Sequence, residues 1–186
     1  MSEPGYTSES LDMLKTEEGQ NNAVFACFGS AAQHGQFFEA SLADFLVTYN
    51  KLCNKSWSLG DFEPLAKKLR RRTMGQLLRE LEKVAEIDKV EVYKLMNAAL
   101  DARNFLMHEF FLKRSNDLQT EEGRMGMLGD LLTIENLFRE AAKPLGGMRV
   151  AMERALSAME NGELPAESEG EAIFTMQINV PESLGK

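Results

Sequence analysis

The sequence predicts an all-α protein, an up-and-down bundle of four to five helices. Three observations carry that expectation. One apolar seam recurs at spacings of four and three for about eight turns. Two further amphipathic runs open on capping residues. Only one short stretch, near the C-terminus, alternates in the manner of a strand.

The first helix is expected to rise from Asn21-Asn22, a capping pair. Its seam is Val24, Phe28, Ala31, Gly35, Phe38, Leu42, Phe45, Tyr49 and Leu52. Ala31 and Gly35 leave a shallow place where a second helix can approach closely. "NKSWSLG" at 54–60 reads as a turn, and Asp61 starts a short basic segment, DFEPLAKKLRRR. Thr73 with Gln76 forms a capping box for the amphipathic run TMGQLLRELEKVAEI. Asp88 and Glu91 suggest a third start, and that helix should run unbroken to Arg114, where Ser115-Asn116-Asp117 stops it. Thr120 opens the next helical region, with Met125, Leu128, Leu131, Leu132, Phe138 and Ala141 on its inner side. Pro144 and Gly146-Gly147 are expected to kink or divide it. Beyond them Met148, Met152, Leu156 and Met159 keep helical spacing, a stripe suited to core or dimer filling. PAESEGE marks a change of composition, and AIFTMQINV at 172–180 is a candidate short strand.

The expected organisation is an acidic N-terminal tail over 1–20, a helical domain over 21–160 and an acidic C-terminal tail over 161–186. At 186 residues and 44% hydrophobic content, such a chain can bury a core without staples. The formal charge of -8 argues at first against a nucleic-acid partner. Its distribution weakens that objection. The two tails hold ten of the 29 acidic side chains but only Lys15 and Lys186 of the 21 basic ones, so 21–160 is neutral overall. No apolar run approaches a membrane span, and the N-terminus lacks an oily signal region, so a cytoplasmic protein is expected. Cys27 and Cys53 lie 26 positions apart on one predicted helix, tens of Å at about 1.5 Å per residue. They cannot pair and are expected to be reduced core thiols.

The stretch ALDARNFLMHEFFLKR, from Ala99 to Arg114, carries the chemistry. Asn97, Asp101, Asn104 and His108 share one face of the third helix. Val92, Leu95, Ala99, Ala102 and Leu106 make an apolar stripe. Met96, Leu100, Arg103 and Met107 make another, with Arg103 its only charged member. Asn104 and His108 differ by about 40° around an ideal helix, but Arg103 and His108 by about 140°. For that pair to meet one ligand, the arginine must bend around, the helix must end or kink, or a second copy must supply one group.

The pattern Arg103-Asn104-x-x-x-His108 on the third helix of a small bundle resembles the Arg-x4–6-His motif of the HEPN superfamily. The resemblance covers roughly 22–140. It implies a HEPN-like fold, a two-fold homodimer and a metal-independent endoribonuclease of toxin or phage-defence type. An antitoxin or regulatory protein is the implied partner. It also implies Arg103 and His108 as the catalytic pair, with Asn104 as a polar helper. The side chains suit the task. RNA supplies its own nucleophile, the 2′-OH, so the protein must move a proton and stabilise charge. An imidazole does the first near neutrality and a guanidinium fork the second. A cyclic phosphate and a 5′-hydroxyl would result. Two histidines without a carboxylate–histidine cluster give no metal site, and no cofactor is implied. One toxin branch of the superfamily carries, two residues after the histidine, a tyrosine to which an antitoxin transfers a nucleotide. Phe110 stands there instead, so that route is closed at this residue.

Lys67, Lys68, Arg70, Arg71 and Arg72 form the strongest basic run, and Lys113 and Arg114 follow the motif. These are the candidate RNA-backbone contacts. No aromatic residue interleaves with the run, so base stacking is not indicated there. His34 reads as a half-buried polar residue beside Phe37 and Phe38. The alternative function is a non-catalytic helical dimer that binds RNA or a regulatory protein. In that reading a buried Arg103 pairs with Glu39 or Asp44 on the first helix, and neighbouring backbone satisfies Asn104 and His108.

Overall fold

The first helix opens on Thr16, whose Oγ1 accepts from the Gly19 N–H at 3.0 Å. In the computed structural model, which describes residues 14–54, 59–84 and 90–161, α1 spans Glu17–Cys53. It begins one turn before Asn21-Asn22, because the hydroxyl of Thr16 caps first and Glu17 and Glu18 suit the positive helix start. α2 spans Leu59–Leu69, α3 Met74–Val84, α4 Val90–His108, α5 Phe110–Arg114 and α6 Glu121–Glu160, with a 3-10 turn at Asp117–Gln119. The described residues are thus all-helical, with six helices rather than four to five and no strand. The expected start at Asp88, the candidate strand at 172–180 and the C-terminal tail lie outside the described residues, as does most of the N-terminal one.

The chain divides into two compact units, one drawn from Met1–Phe38 and Leu95–Glu140, the other from Glu39–Lys94 and Ala141–Lys186. α1, α4 and α6 each contribute to both units.

In the first unit, Val24, Ala31 and Phe38 of α1 are fully buried, as are Met96 and Ala99 of α4, Phe110 of α5, and Met127 and Leu131 of α6. Each large apolar side chain so buried is worth about 1.5–3 kcal/mol. The close approach expected at Ala31 and Gly35 is present, since a Cβ on Gly35 would lie 3.3 Å from the Phe138 ring. Arg124, 5% exposed, ties the start of α6 to the start of α1. Its Nε donates to Gln20 Oε1 at 2.8 Å and its Nη1 to the Leu118 carbonyl at 2.7 Å, while the Gln20 amide donates to the Leu14 carbonyl. These bonds satisfy a cation that burial alone would penalise heavily.

In the second unit, Leu42, Phe45, Leu46, Met74, Leu77, Leu81 and Leu145 are buried. The capping box is reciprocal: the Thr73 N–H donates to Gln76 Oε1 and the Gln76 N–H to Thr73 Oγ1, at 3.0 and 3.4 Å. Glu80 accepts from Arg72 and Lys83, which hold its carboxyl below the usual range.

Three sequence expectations are corrected here. α6 runs unbroken through Pro144 and Gly146-Gly147; proline this deep in a helix removes one backbone bond, and the apolar side chains Ala141, Leu145 and Met152 keep the segment buried. Met125 and Leu132 are about half exposed. The inner side is set by Leu128, Leu131, Ile134 and Phe138, and both residues fall off that arc. Cys27 is half-buried, but Cys53, the last residue of α1, is exposed rather than a core thiol.

Candidate functional site

The third predicted helix is not continuous to Arg114. α4 stops at His108, and Glu109, with φ -128° and ψ -24°, separates it from α5. Nothing in LMHEFFLKR disfavours a helix, so the break leaves no sequence signature. Arg103, Asn104 and His108 all lie on α4, before that break. His108 is the terminal residue of α4 and is exposed, as are Asn97, Asp101 and Asn104 on the same face.

Arg103 projects from beside the buried stripe of Met96, Ala99 and Leu106 and is itself half-buried. Its guanidinium bends back across the helix. Nη1 lies 3.4 Å from Asn104 Oδ1 and 3.5 Å from His108 Nε2, both at the outer edge of hydrogen-bond length. One chain therefore brings all three motif residues together, by the bending of the arginine at a helix end. A second copy is not needed to join them. With the guanidinium donating, Nε2 is the acceptor nitrogen and Nδ1 carries the proton. Nδ1 has no protein partner among the described residues.

Of the carboxylates considered for Arg103, Asp44 accepts from Arg70 at 3.1 Å. The buried arginine of this fold is Arg124. Arg103 has no carboxylate partner among the described residues, so its charge is not neutralised there.

The other basic candidates divide. Lys113 pairs with Glu109 and sits over the Phe105 ring, 5.9 Å from its centre. Arg114 is engaged by Asp117 and Asp130. Arg70 and Arg72 are taken by Asp44 and Glu80. Lys67, Lys68 and Arg71 are exposed and have no acidic partner among the described residues. That run belongs to the second unit and the motif to the first. Phe110 is fully buried, so its position would be out of reach of a modifying enzyme whatever residue stood there.

The sequence has a second histidine, and it is built in the opposite way. His34 Nδ1 donates to the Ser30 carbonyl at 2.9 Å, and Nε2 accepts from Arg139 Nε at 3.1 Å. Glu135 holds Arg139 on one oxygen and accepts the Ser30 hydroxyl on the other, at 2.6 Å. Both ring nitrogens are occupied, and the serine proton points to the carboxylate, not to the imidazole. This Ser–His–Glu–Arg set is a closed strut, not a nucleophile and its base. Burial, then Glu135, raises the Cys27 thiol pKa, which keeps the sulfur protonated and unreactive. Sequence reading placed His34 as half-buried beside Phe37 but missed its partners. Ser30–His34 and Glu135–Arg139 are each i, i+4 pairs, yet nothing local joins residues 105 positions apart.

Among the described residues no group of three His, Cys, Asp or Glu converges as a metal site. No helix there is long and apolar enough to cross a membrane. No family model, characterised protein or solved structure matches the chain.

Proposed function

We propose that this protein is a metal-independent endoribonuclease of HEPN type, acting in the cytoplasm as a toxin or defence effector and working as a homodimer. One observation carries the reading: an uncompensated guanidinium, Arg103, meets the Nε2 of an exposed histidine whose other nitrogen is unengaged. In the resting protein Arg103 occupies the basic nitrogen. A phosphodiester is a better acceptor for guanidinium than a neutral imidazole, because both partners are then charged. Substrate binding draws Arg103 onto the phosphate and uncovers Nε2. His108 then takes the 2′-OH proton while Arg103, with the Asn104 amide beside it, holds the crowded phosphate oxygens. The leaving 5′-oxygen takes a proton back from the imidazolium or from water.

The test is RNA incubated with purified protein in excess chelator, with the new ends analysed. Cyclic-phosphate ends that vanish in Arg103→Ala and in His108→Ala support the reading. Cleavage that survives in both variants would sink it.

The rival, a dimer that binds RNA or a regulatory protein without cutting, draws on the exposed apolar side chains Leu112, Met125 and Leu132. It expects no cyclic-phosphate ends.

A further inference from the structure

The end of α2 leaves three neighbouring cations unmatched. Of the five basic residues there, Asp44 takes Arg70 and Glu80 takes Arg72. Lys67, Lys68 and Arg71 are exposed and have no acidic partner among the described residues. The negative end of the helix favours cations in its last turn, which suits Lys67 and Lys68. It does not neutralise them, and Arg71 lies beyond the helix. Like charges this close repel unless an anion joins them. The sequence carries a matching anion. Glu163, Glu167, Glu169 and Glu171 fall within a stretch, 163–171, that holds no basic residue. They follow α6, whose residues from Ala141 onward belong with α2 to the second unit. The acidic residues Glu3, Glu9 and Asp12 lead instead into α1 at its first-unit end. Extended chain over 162–171 reaches up to about 35 Å, more than the width of a small domain, about 30 Å.

We propose that the acidic segment 163–171 is the intramolecular occupant of Lys67, Lys68 and Arg71 and withholds that surface from other polyanions. The inference stands on charge and tether, apart from the ribonuclease reading of Arg103 and His108. No aromatic residue interleaves with the basic run, so charge is its main recognition chemistry and carboxylates can take the place of phosphates there. Each exposed carboxylate–cation pair is weak and screened by salt. The tether compensates, because it presents the glutamates at a high effective concentration. Such a contact closes the run to dilute or weakly charged anions. It yields to a long polyanion, whose phosphates displace the carboxylates and shed their own counterions.

The experiment uses the full chain and a fluorescein-labelled oligothymidylate, read by fluorescence anisotropy. This probe has no 2′-OH, so its binding is independent of any ribonuclease activity. Neutralising the segment by Glu167→Gln, Glu169→Gln and Glu171→Gln should tighten binding by about 5- to 10-fold, the release of a tethered competitor. Adding Lys67→Gln, Lys68→Gln and Arg71→Gln should abolish that gain and lower the slope of log affinity against log salt by about 2, as expected for three cations on a single strand. Glu3→Gln, Glu9→Gln and Asp12→Asn remove as much charge from the other end and should tighten binding much less. Amide shifts in two-dimensional NMR report the contact itself. Neutralising the segment should move the Lys67, Lys68 and Arg71 signals, with the same displacement on dilution. Thermal melts of each variant check folding, which these exposed side chains support little. No tightening on neutralising the segment overturns the proposal, as does equal tightening by the N-terminal variant, which would show an effect of net charge alone. A gain that survives loss of the three cations also overturns it. NMR displacements that fade on dilution would assign the surface to the segment of a second copy and refute an intramolecular contact.

Discussion

Gly123 and Gly129 lie on one helix, six residues apart, and the same substitution should move stability in opposite directions at the two. Alanine in place of a helical glycine stabilises by about 1 kcal/mol through backbone entropy. At Gly129 a Cβ meets nothing within 4 Å, so that gain should appear in full. At Gly123 a Cβ would lie 2.6 Å from Asp117 Cα and 2.8 Å from its carbonyl carbon. Those atoms are backbone and cannot rotate away. The turn they belong to is also held in place, because the Asp117 side chain grips Arg114 and the Gly123 N–H donates to Thr120 Oγ1 at 3.1 Å. Overpacking of this kind costs about 1–3 kcal/mol, and at rigid backbone the upper half of the range applies. The balance is a loss of about 1–2 kcal/mol for Gly123→Ala. For a chain of this size each kcal/mol moves Tm by about 2–4 °C. Paired thermal melts should show Gly129→Ala rising and Gly123→Ala falling by several degrees. Equal rises would mean that the 3-10 turn does not press on α6, and the argument from the close approach would be wrong.

Other consequences are as direct. Arg124→Met should cost about 2–4 kcal/mol in urea titration, because Gln20 Oε1 and the Leu118 carbonyl lose their donor in a buried place. The Tyr49 phenol is pushed up to about 12, by burial first and then by Cys53. In the unfolded chain it ionises near 10, so stability should fall as pH rises from about 10 toward 12, and the latest phenolate step in an ultraviolet titration should disappear in Tyr49→Phe. Thiol alkylation should label exposed Cys53 rapidly and Cys27 slowly. Glu135→Gln should speed Cys27, since it removes a charge that raises that thiol's pKa.

Much of the fold was legible wherever a signal is local. The α1 seam and the Thr73–Gln76 box depend on residues within a few turns, and each is present. Long-range pairings left no trace. Arg103 was the candidate buried cation because of its apolar neighbours, whereas Arg124 is the one enclosed, by partners up to 104 positions away. The stop at Glu109 was hidden for a different reason: each residue around it suits a helix, and tertiary packing of Phe110 and Phe111 against Phe28 outweighs propensity. Pro144 does not divide α6, a local signal outweighed by burial of its neighbours. For the site, the sequence posed the 140° problem between Arg103 and His108 and offered three solutions. The folded-back guanidinium is the one adopted within one chain.

The central claim is that Arg103 and His108 act together on RNA while His34 only braces the helices. Single-turnover cleavage of a single-stranded RNA in excess chelator tests it most directly, with Arg103→Ala, His108→Ala and His34→Gln alongside the parent. Loss of cyclic-phosphate product in the first two, with the third retaining it, is the result this account predicts. Product formed at parental rates without the His108 imidazole, or lost only when His34 is changed, would contradict it.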